Sequence, residues 1–201
     1  MSGSMVFVKD VEVAARVSRI GGLPLAPEGF SWPRCSRCGG PLRFLLQLLA
    51  DDLGGDHSES LRAGALLSFF MCDNEPGQCE AWNPEAGGNR AYLFAAGSTA
   101  AAASPGEAFV LPQCFEIGIC EVEPETAEEV AEFKVVGWLG GEAEWWETDM
   151  TPACSTCGVP MGFVAQMREG YSRNWLMNFG GGEAFVFACP PCDAASVVLQ
   201  G

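Results

Sequence analysis

The sequence predicts a mostly β fold with a few short helices, internally duplicated as two cysteine-knuckle β modules packed about a pseudo-twofold axis. Three observations predict it. A cysteine motif occurs twice together with its surroundings. Each copy ends an apolar run on a further cysteine. Short runs rich in β-branched and aromatic residues, bounded by Gly, Pro or Asp, recur along the chain, which is the pattern of short strands.

The duplication aligns without a gap. Cys35–Gln47 and Cys154–Gln166 both read Cys-x-x-Cys-Gly-x-Pro-[Leu/Met]-x-Phe-[Leu/Val]-x-Gln. Pro33 and Pro152 each stand two residues ahead, and Gly21-Gly22 and Gly140-Gly141 share one upstream distance. Downstream, Leu66–Cys72 and Ala184–Cys189 are apolar runs, followed by Cys79 and Cys192. Self-similarity of this length marks stacked supersecondary units. The copies span roughly 17–82 and 136–199. The division is then 1–16, an N-terminal strand behind a tag-like Met1–Ser4; 17–123, the first module; and 124–201, the second, in one continuous duplicated domain.

Strands are expected, in order, at Val6–Val8, Val11–Ile20, Leu42–Leu49, Ala65–Cys72, Ala91–Ala96, Ala108–Leu111, Phe115–Val122, Lys134–Leu139, Met161–Met167, Ala184–Cys189 and Ser196–Leu199. A helix is expected at Thr126–Phe133, where Pro124 precedes and Thr126 with Glu129 forms a capping box. Ser58–Ala63 is a second, shorter candidate. Ala95–Pro105 reads as a loop or helical turn, and Glu121–Glu132 as the linker zone.

Hydrophobic residues make up 48% of the 201 residues and charged residues 18%, so a packed core is within reach. No apolar run is long enough to span a membrane, and the first residues carry no signal-peptide pattern, so the expected compartment is the cytoplasm. Ten cysteines there stay reduced, and close pairs of reduced cysteines point to metal before disulfides. His57 is the one histidine, so a tetrahedral site must be built from thiolates. Two residues between thiolates let the backbone turn both sulfurs onto one ion, and the following Gly relieves that turn. Cys154, Cys157, Cys189 and Cys192 form a zinc-ribbon set. Cys35, Cys38, Cys72 and Cys79 form the other, with a longer final loop containing Pro76 and Gly77. Two structural zinc ions, four thiolates each, are the expected cofactors, closed to substrate. Buried free cysteines acting as small apolar residues are the plainer reading. A thioredoxin-like role would need the pair at a helix start, whereas here it precedes a strand-like run. Cys114 and Cys120 read as core.

Gln47 and Gln166 close the repeated motif. Each is expected either to satisfy backbone groups near the knuckle or to contact a bound peptide. Trp145 and Trp146 are adjacent, so on a strand they face opposite sides. One of them, with Trp175, is a candidate partner contact, as aromatics are at interfaces; packing against the other module is the alternative. No nucleophile elbow, phosphate loop or His–carboxylate pattern is present. A hydrolase would have to use His57 with Asp51, Asp52 and Asp56 in a polar stretch, a poor place to preorganise a base. A zinc-ribbon nucleic-acid binder carries a basic face, whereas this chain has 26 acidic against 11 basic residues, a net −15. That charge repels phosphate and anionic lipid and favours a basic protein partner.

These residues resemble the superfamily that joins bacterial YwqG-like proteins with the eukaryotic programmed cell death protein 2 family. The resemblance rests on Gly21-Gly22-Leu23-Pro24, Cys35 to Gln47, Phe69–Cys72 with Cys79, Cys154–Gly158, Phe163, Gln166 and Phe185–Cys189, and covers nearly all the chain after about residue 17. It implies an internally duplicated β fold without established catalysis, whose eukaryotic relatives chaperone a nascent ribosomal protein and whose bacterial relatives are suspected of neutralising toxins or assisting partners. Glu142-Ala143 after the second Gly-Gly departs from the pattern, and no eukaryotic-type zinc-finger insertion is evident. The expectation is therefore a bacterial, non-catalytic module that captures a protein or peptide.

Overall fold

The computed structural model describes residues 4–9, 16–53, 61–106, 109, 111, 114–120, 135–169 and 177–201. The strands are β1 (Ser4–Lys9), β2 (Arg19–Ile20), β3 (Leu25–Pro27), β4 (Arg43–Leu49), β5 (Leu66–Met71), β6 (Asn89–Phe94), β7 (Thr99–Ala101), β8 (Phe115–Cys120), β9 (Val135–Leu139), β10 (Gly162–Arg168), β11 (Glu183–Cys189) and β12 (Ala194–Gln200). Helical structure among the described residues is limited to short 3-10 turns such as Ala50–Asp52 and Pro190–Cys192, and none is long and apolar enough to cross a membrane.

Ten strands form one sheet in the order β6-β5-β4-β2-β8-β1-β9-β10-β11-β12, and its pairings are antiparallel. The order is palindromic about the β8–β1 pair: β2, β4, β5 and β6 on one side correspond to β9, β10, β11 and β12 on the other. β1 pairs with β9 and β8 with β2, and β1 and β8 pair with each other, so these two central strands join the halves.

The duplication extends to single hydrogen bonds. Gly21 N–H donates to the Leu45 carbonyl and Gly140 N–H to that of Val164, both at 2.8 Å. Leu42 N–H meets the Pro33 carbonyl and Met161 N–H that of Pro152, both at 2.9 Å. The two modules share a β-bulge, between Phe44 and Leu46 and between Phe163 and Ala165, and the β1–β9 pairing has a further register shift between Val6 and Phe7. A bulge puts an extra residue in one strand and bends it, here at corresponding points in the two halves.

That curvature brings the sheet's two edges together. Asn89 Nδ2, at the start of β6, donates to the Val197 carbonyl of β12 at 3.2 Å and to Ala81 at 2.7 Å. Leu199 N–H reaches the Trp82 carbonyl at 3.4 Å. The curled sheet encloses one core to which both modules contribute, among them Leu46, Phe69, Leu93, Leu139, Val164 and Val186. β5 and β11 are buried along their whole length, which their unbroken apolar runs demand. Phe69 and Val186 face the shared core, while Phe70, Phe185 and Phe187 face outward under the knuckles.

Several expected elements differ. Val11–Ile20 is strand only at Arg19–Ile20, with 11–15 outside the described residues. Ser18 turns the chain there, its N–H on Asp52 Oδ2 at 2.6 Å and its hydroxyl accepting from Leu49 N–H at 2.8 Å. Within 108–111, Phe109 closes a turn onto Gly106 at 3.2 Å instead of extending. Ala100 and Ala101 are not helical: β7 pairs with β3, an unpredicted strand, which satisfies the alanine backbone. Residues 61–63 form a bend and turn rather than a helix. Ser58–Ser60 and Thr126–Phe133 lie outside the described residues. Cys114 is half-buried against the Gly21-Gly22 turn, its Sγ 3.5 Å from the Gly21 carbonyl, and not in the core; the side chain of Cys120 is outside the description.

Candidate metal centres

The knuckle is a backbone device. Gly39 N–H donates to the Cys35 carbonyl at 2.9 Å and Cys35 N–H to that of Gly40 at 2.8 Å; in the second module Gly158 reaches Cys154 at 2.7 Å and Cys154 reaches Val159 at 2.8 Å. Bridges Arg34–Pro41 and Ala153–Pro160 close both turns. Gly39 and Gly158 take φ of 70° and 73°, a conformation that side-chain-bearing residues adopt at a cost. The third ligand in each module ends its central strand: Cys72 follows β5 and Cys189 is the last residue of β11.

The fourth ligand arrives by two routes. The longer loop in the first module returns Cys79, whereas Pro190–Cys192 makes a single 3-10 turn. Glu80 and Asp193, each immediately after the last cysteine, both have φ of 48° and are the positive-φ non-glycine residues among those described. Different loops thus leave the centre through the same left-handed residue. Arginines pair with both, Arg37 with Glu80 and Arg62 with Asp193, the latter at 3.7 Å.

The result is two groups of four cysteines, Cys35, Cys38, Cys72, Cys79 and Cys154, Cys157, Cys189, Cys192, with the sulfurs of each group within 4.8 Å of one another. Cys38 Sγ lies 3.7 Å from Cys72 Sγ, and Cys157 Sγ lies 3.8 Å from Cys189 Sγ. A disulfide would need about 2.05 Å, and these eight cysteines are free. A tetrahedral thiolate shell with metal–sulfur bonds near 2.3 Å has edges of about 3.8 Å, so the donors fit a four-coordinate cation.

The protein divides the sulfurs electrostatically. The Gly40 backbone N–H is the main cause that draws Cys38 down to about 7. N–H groups of Cys157 and then Thr156 draw Cys154 down to about 6. Burial pushes Cys72, Cys79 and Cys189 up, and hydrogen bonding to Cys157 pushes Cys192 up to about 12. Four thiolates this close repel one another; a divalent cation replaces the protons that would otherwise hold the group together.

The glutamines stand behind the knuckles. Gln47 Oε1 accepts from Leu25 N–H at 2.9 Å, and Nε2 donates to the Leu25 carbonyl at 2.7 Å and to Ser68 Oγ at 2.6 Å. Gln166 does the same to Glu144, at 3.0 and 3.5 Å, and adds Glu183. Both amides are buried and tie in the segment that follows the Gly-Gly turn, so this geometry matches the backbone-satisfying role and leaves no free N–H for a peptide. Trp145 stacks on Phe185 at 4.5 Å and Phe187 at 5.8 Å, packing on its own module instead of the other one. Trp146 points away and is 58% exposed. Trp175, Asp56 and His57 lie outside the described residues. Asp51 Oδ1 accepts from Gly64 N–H at 2.7 Å and Asp52 binds Ser18, so both acids hold loops.

Sequence reasoning missed Asn74, whose Nδ2 lies 3.3 Å from Cys72 Sγ, 3.6 Å from Cys38 Sγ and 3.0 Å from the Pro41 carbonyl. Its place between Cys72 and Cys79 was the available signal. It also missed Trp82, whose Nε1 donates to the Phe179 carbonyl at 2.9 Å across the seam.

In comparison with known families, residues 18–134 match the family described as a domain of unknown function, DUF1963. No curated protein matches the chain.

Proposed function

For this chain, which belongs to the DUF1963 family, we propose a non-catalytic role: a protein-binding module, braced by two structural zinc ions, that holds an extended basic segment of a partner polypeptide. Zinc is the cation favoured by four thiolates in a tetrahedron. With every coordination position filled by the protein, such a centre braces and does not react.

The observation that carries the reading is a groove of about 820 Å³ where the modules meet. Trp82 and Pro84 line it from the first module, and Met150, Pro152, Met161 and Val198 from the second. Trp82 and Met150 are 37% and 45% exposed, apolar surface of the kind that marks interaction sites. Glu85 and Arg90 both line the same groove, so its own lining is charge-balanced, and it is the −15 charge of the whole chain that steers a cationic segment towards it. Likeness to the YwqG-like superfamily supports a dedicated chaperone or toxin-neutralising role in a reducing cytoplasm.

The test is affinity capture from native lysate with metal counting by native mass spectrometry on the same sample. Two zinc ions per chain and one dominant basic partner, released as salt rises, are the expected result. Met150→Arg, which adds a second cation to the groove beside Arg90, should lose that partner and keep both ions. A metal-free chain, or capture indifferent to salt and to Met150→Arg, would overturn the proposal.

A further inference from the structure

The two metal centres share donors and spacing but not cover. In the first, Cys35, Cys72 and Cys79 are buried, and Cys38 is half-buried. The Asn74 amide lies over the Cys38 and Cys72 sulfurs, and the Arg37–Glu80 pair ties the knuckle to the residue after Cys79. In the second, Cys157 is exposed, the exposed member among the described cysteines, and Cys192 is half-buried. No side-chain amide rests on its sulfurs among the described residues. The exposed sulfur lies 3.8 Å from Cys189 Sγ, at the end of a central strand, and Pro152 and Met161 on either side of this knuckle line the groove.

We propose that the second centre is a peroxide-sensitive clasp on the groove, a role that rests on the metal-braced reading above. Thiolate character and solvent access select which cysteine oxidises, and Cys157 has the access. Its sulfur attacks one oxygen of a hydroperoxide. The O–O bond breaks, an S–O bond forms, and the other oxygen leaves, taking a proton, as water from hydrogen peroxide. The Cys189 thiolate then attacks the sulfenic sulfur, forming the S–S bond as the S–O bond breaks, and the hydroxide takes a second proton. Two thiolates, one hydrogen peroxide and two protons yield one disulfide and two waters. The cation, left with two of its four donors, departs. The knuckle loses its anchor and so does one wall of the groove, while the covered first centre keeps its ion.

The experiment uses the zinc-loaded full chain and hydrogen peroxide. Metal release is followed with a colorimetric zinc indicator, and disulfides are mapped by mass spectrometry. One ion should leave several-fold faster than the other, together with a Cys157–Cys189 disulfide, and dithiothreitol with added zinc should restore it. Asn74→Ala, which touches no ligand backbone, should bring the slow phase towards the fast one. Equal release rates, a first disulfide between Cys38 and Cys72, or fast release without a disulfide would overturn the clasp. An untreated chain holding no zinc would instead sink the metal-braced reading, and a loaded chain inert to peroxide would sink the clasp alone.

Discussion

At the residue scale, the centres depend on backbone conformations more than on side chains. A Cβ on Gly39 or Gly158 would meet nothing within 4 Å, so space does not demand glycine; the φ of 70° and 73° does. Gly39→Ala and Gly158→Ala are therefore each expected to destabilise the zinc-loaded chain by about 1 kcal/mol, the left-handed penalty alone. Gly87→Ala is expected to cost more, because its Cβ would lie 2.3 Å from Ser36 Oγ while also holding φ at 78°. Urea midpoints compare the three, and equal losses would show that crowding at Gly87 relaxes freely. The knuckle glycines were legible in the sequence, since a Gly after Cys-x-x-Cys has a conformational reason to be there. The glutamine partners were not: Leu25 and Glu144 share no side-chain chemistry, and Gln47 and Gln166 grip only their backbones.

The central strands carry the same logic at the scale of elements. β5 and β11 are buried on both faces, one against the shared core and one against a satellite cluster under a knuckle. Phe70 sits among Phe30, Trp32, Phe44 and Tyr92, with ring centroids 5.3 to 6.1 Å away. Phe70→Ala should cost about 3–5 kcal/mol, the range for deleting a buried aromatic, and should speed zinc loss from the first centre, since Cys35, Cys72 and Cys79 belong to that cluster. Phe187→Ala should do the same at the second centre alone. Denaturant unfolding and per-site chelation rates read both effects; loss of metal from the wrong centre would contradict the separation of the clusters. Unbroken apolar runs made β5 and β11 visible in advance. β2 falls inside the longer strand expected at Val11–Ile20, of which Arg19–Ile20 is strand; β3 runs three residues, too short for any period to register, and β7 is built of Thr99, Ala100 and Ala101, whose small residues read as a loop or helical turn. Tertiary pairing decided those.

For the whole molecule, the two central strands set what metal can and cannot control. β1 and β8 pair with each other, β1 with β9 and β8 with β2, and the core they close contains no metal ligand. Nothing in the sequence says which strands β1 and β8 join, so the duplication was legible while this central seam was not. It follows that the sheet and the centres are separable layers. Removing both ions with a strong chelator should lower the thermal midpoint by on the order of 10 °C or more, since thiolate–zinc binding contributes many kcal/mol to folding. The far-UV β signal should persist at room temperature, held by the shared core. Fluorescence should change through Trp32 and Trp145, which pack in the satellite clusters. Trp138 should stay quiet, held in β9 under the Arg168 guanidinium at 4.0 Å, so Trp32→Phe with Trp145→Phe should abolish most of the change. Acid should mimic the chelator, because protons compete for the same sulfurs: metal-derived stability is present at neutral pH and is lost as the thiols protonate. An unchanged midpoint would mean the centres do not brace the fold, and collapse of the β signal would mean that the two layers are one.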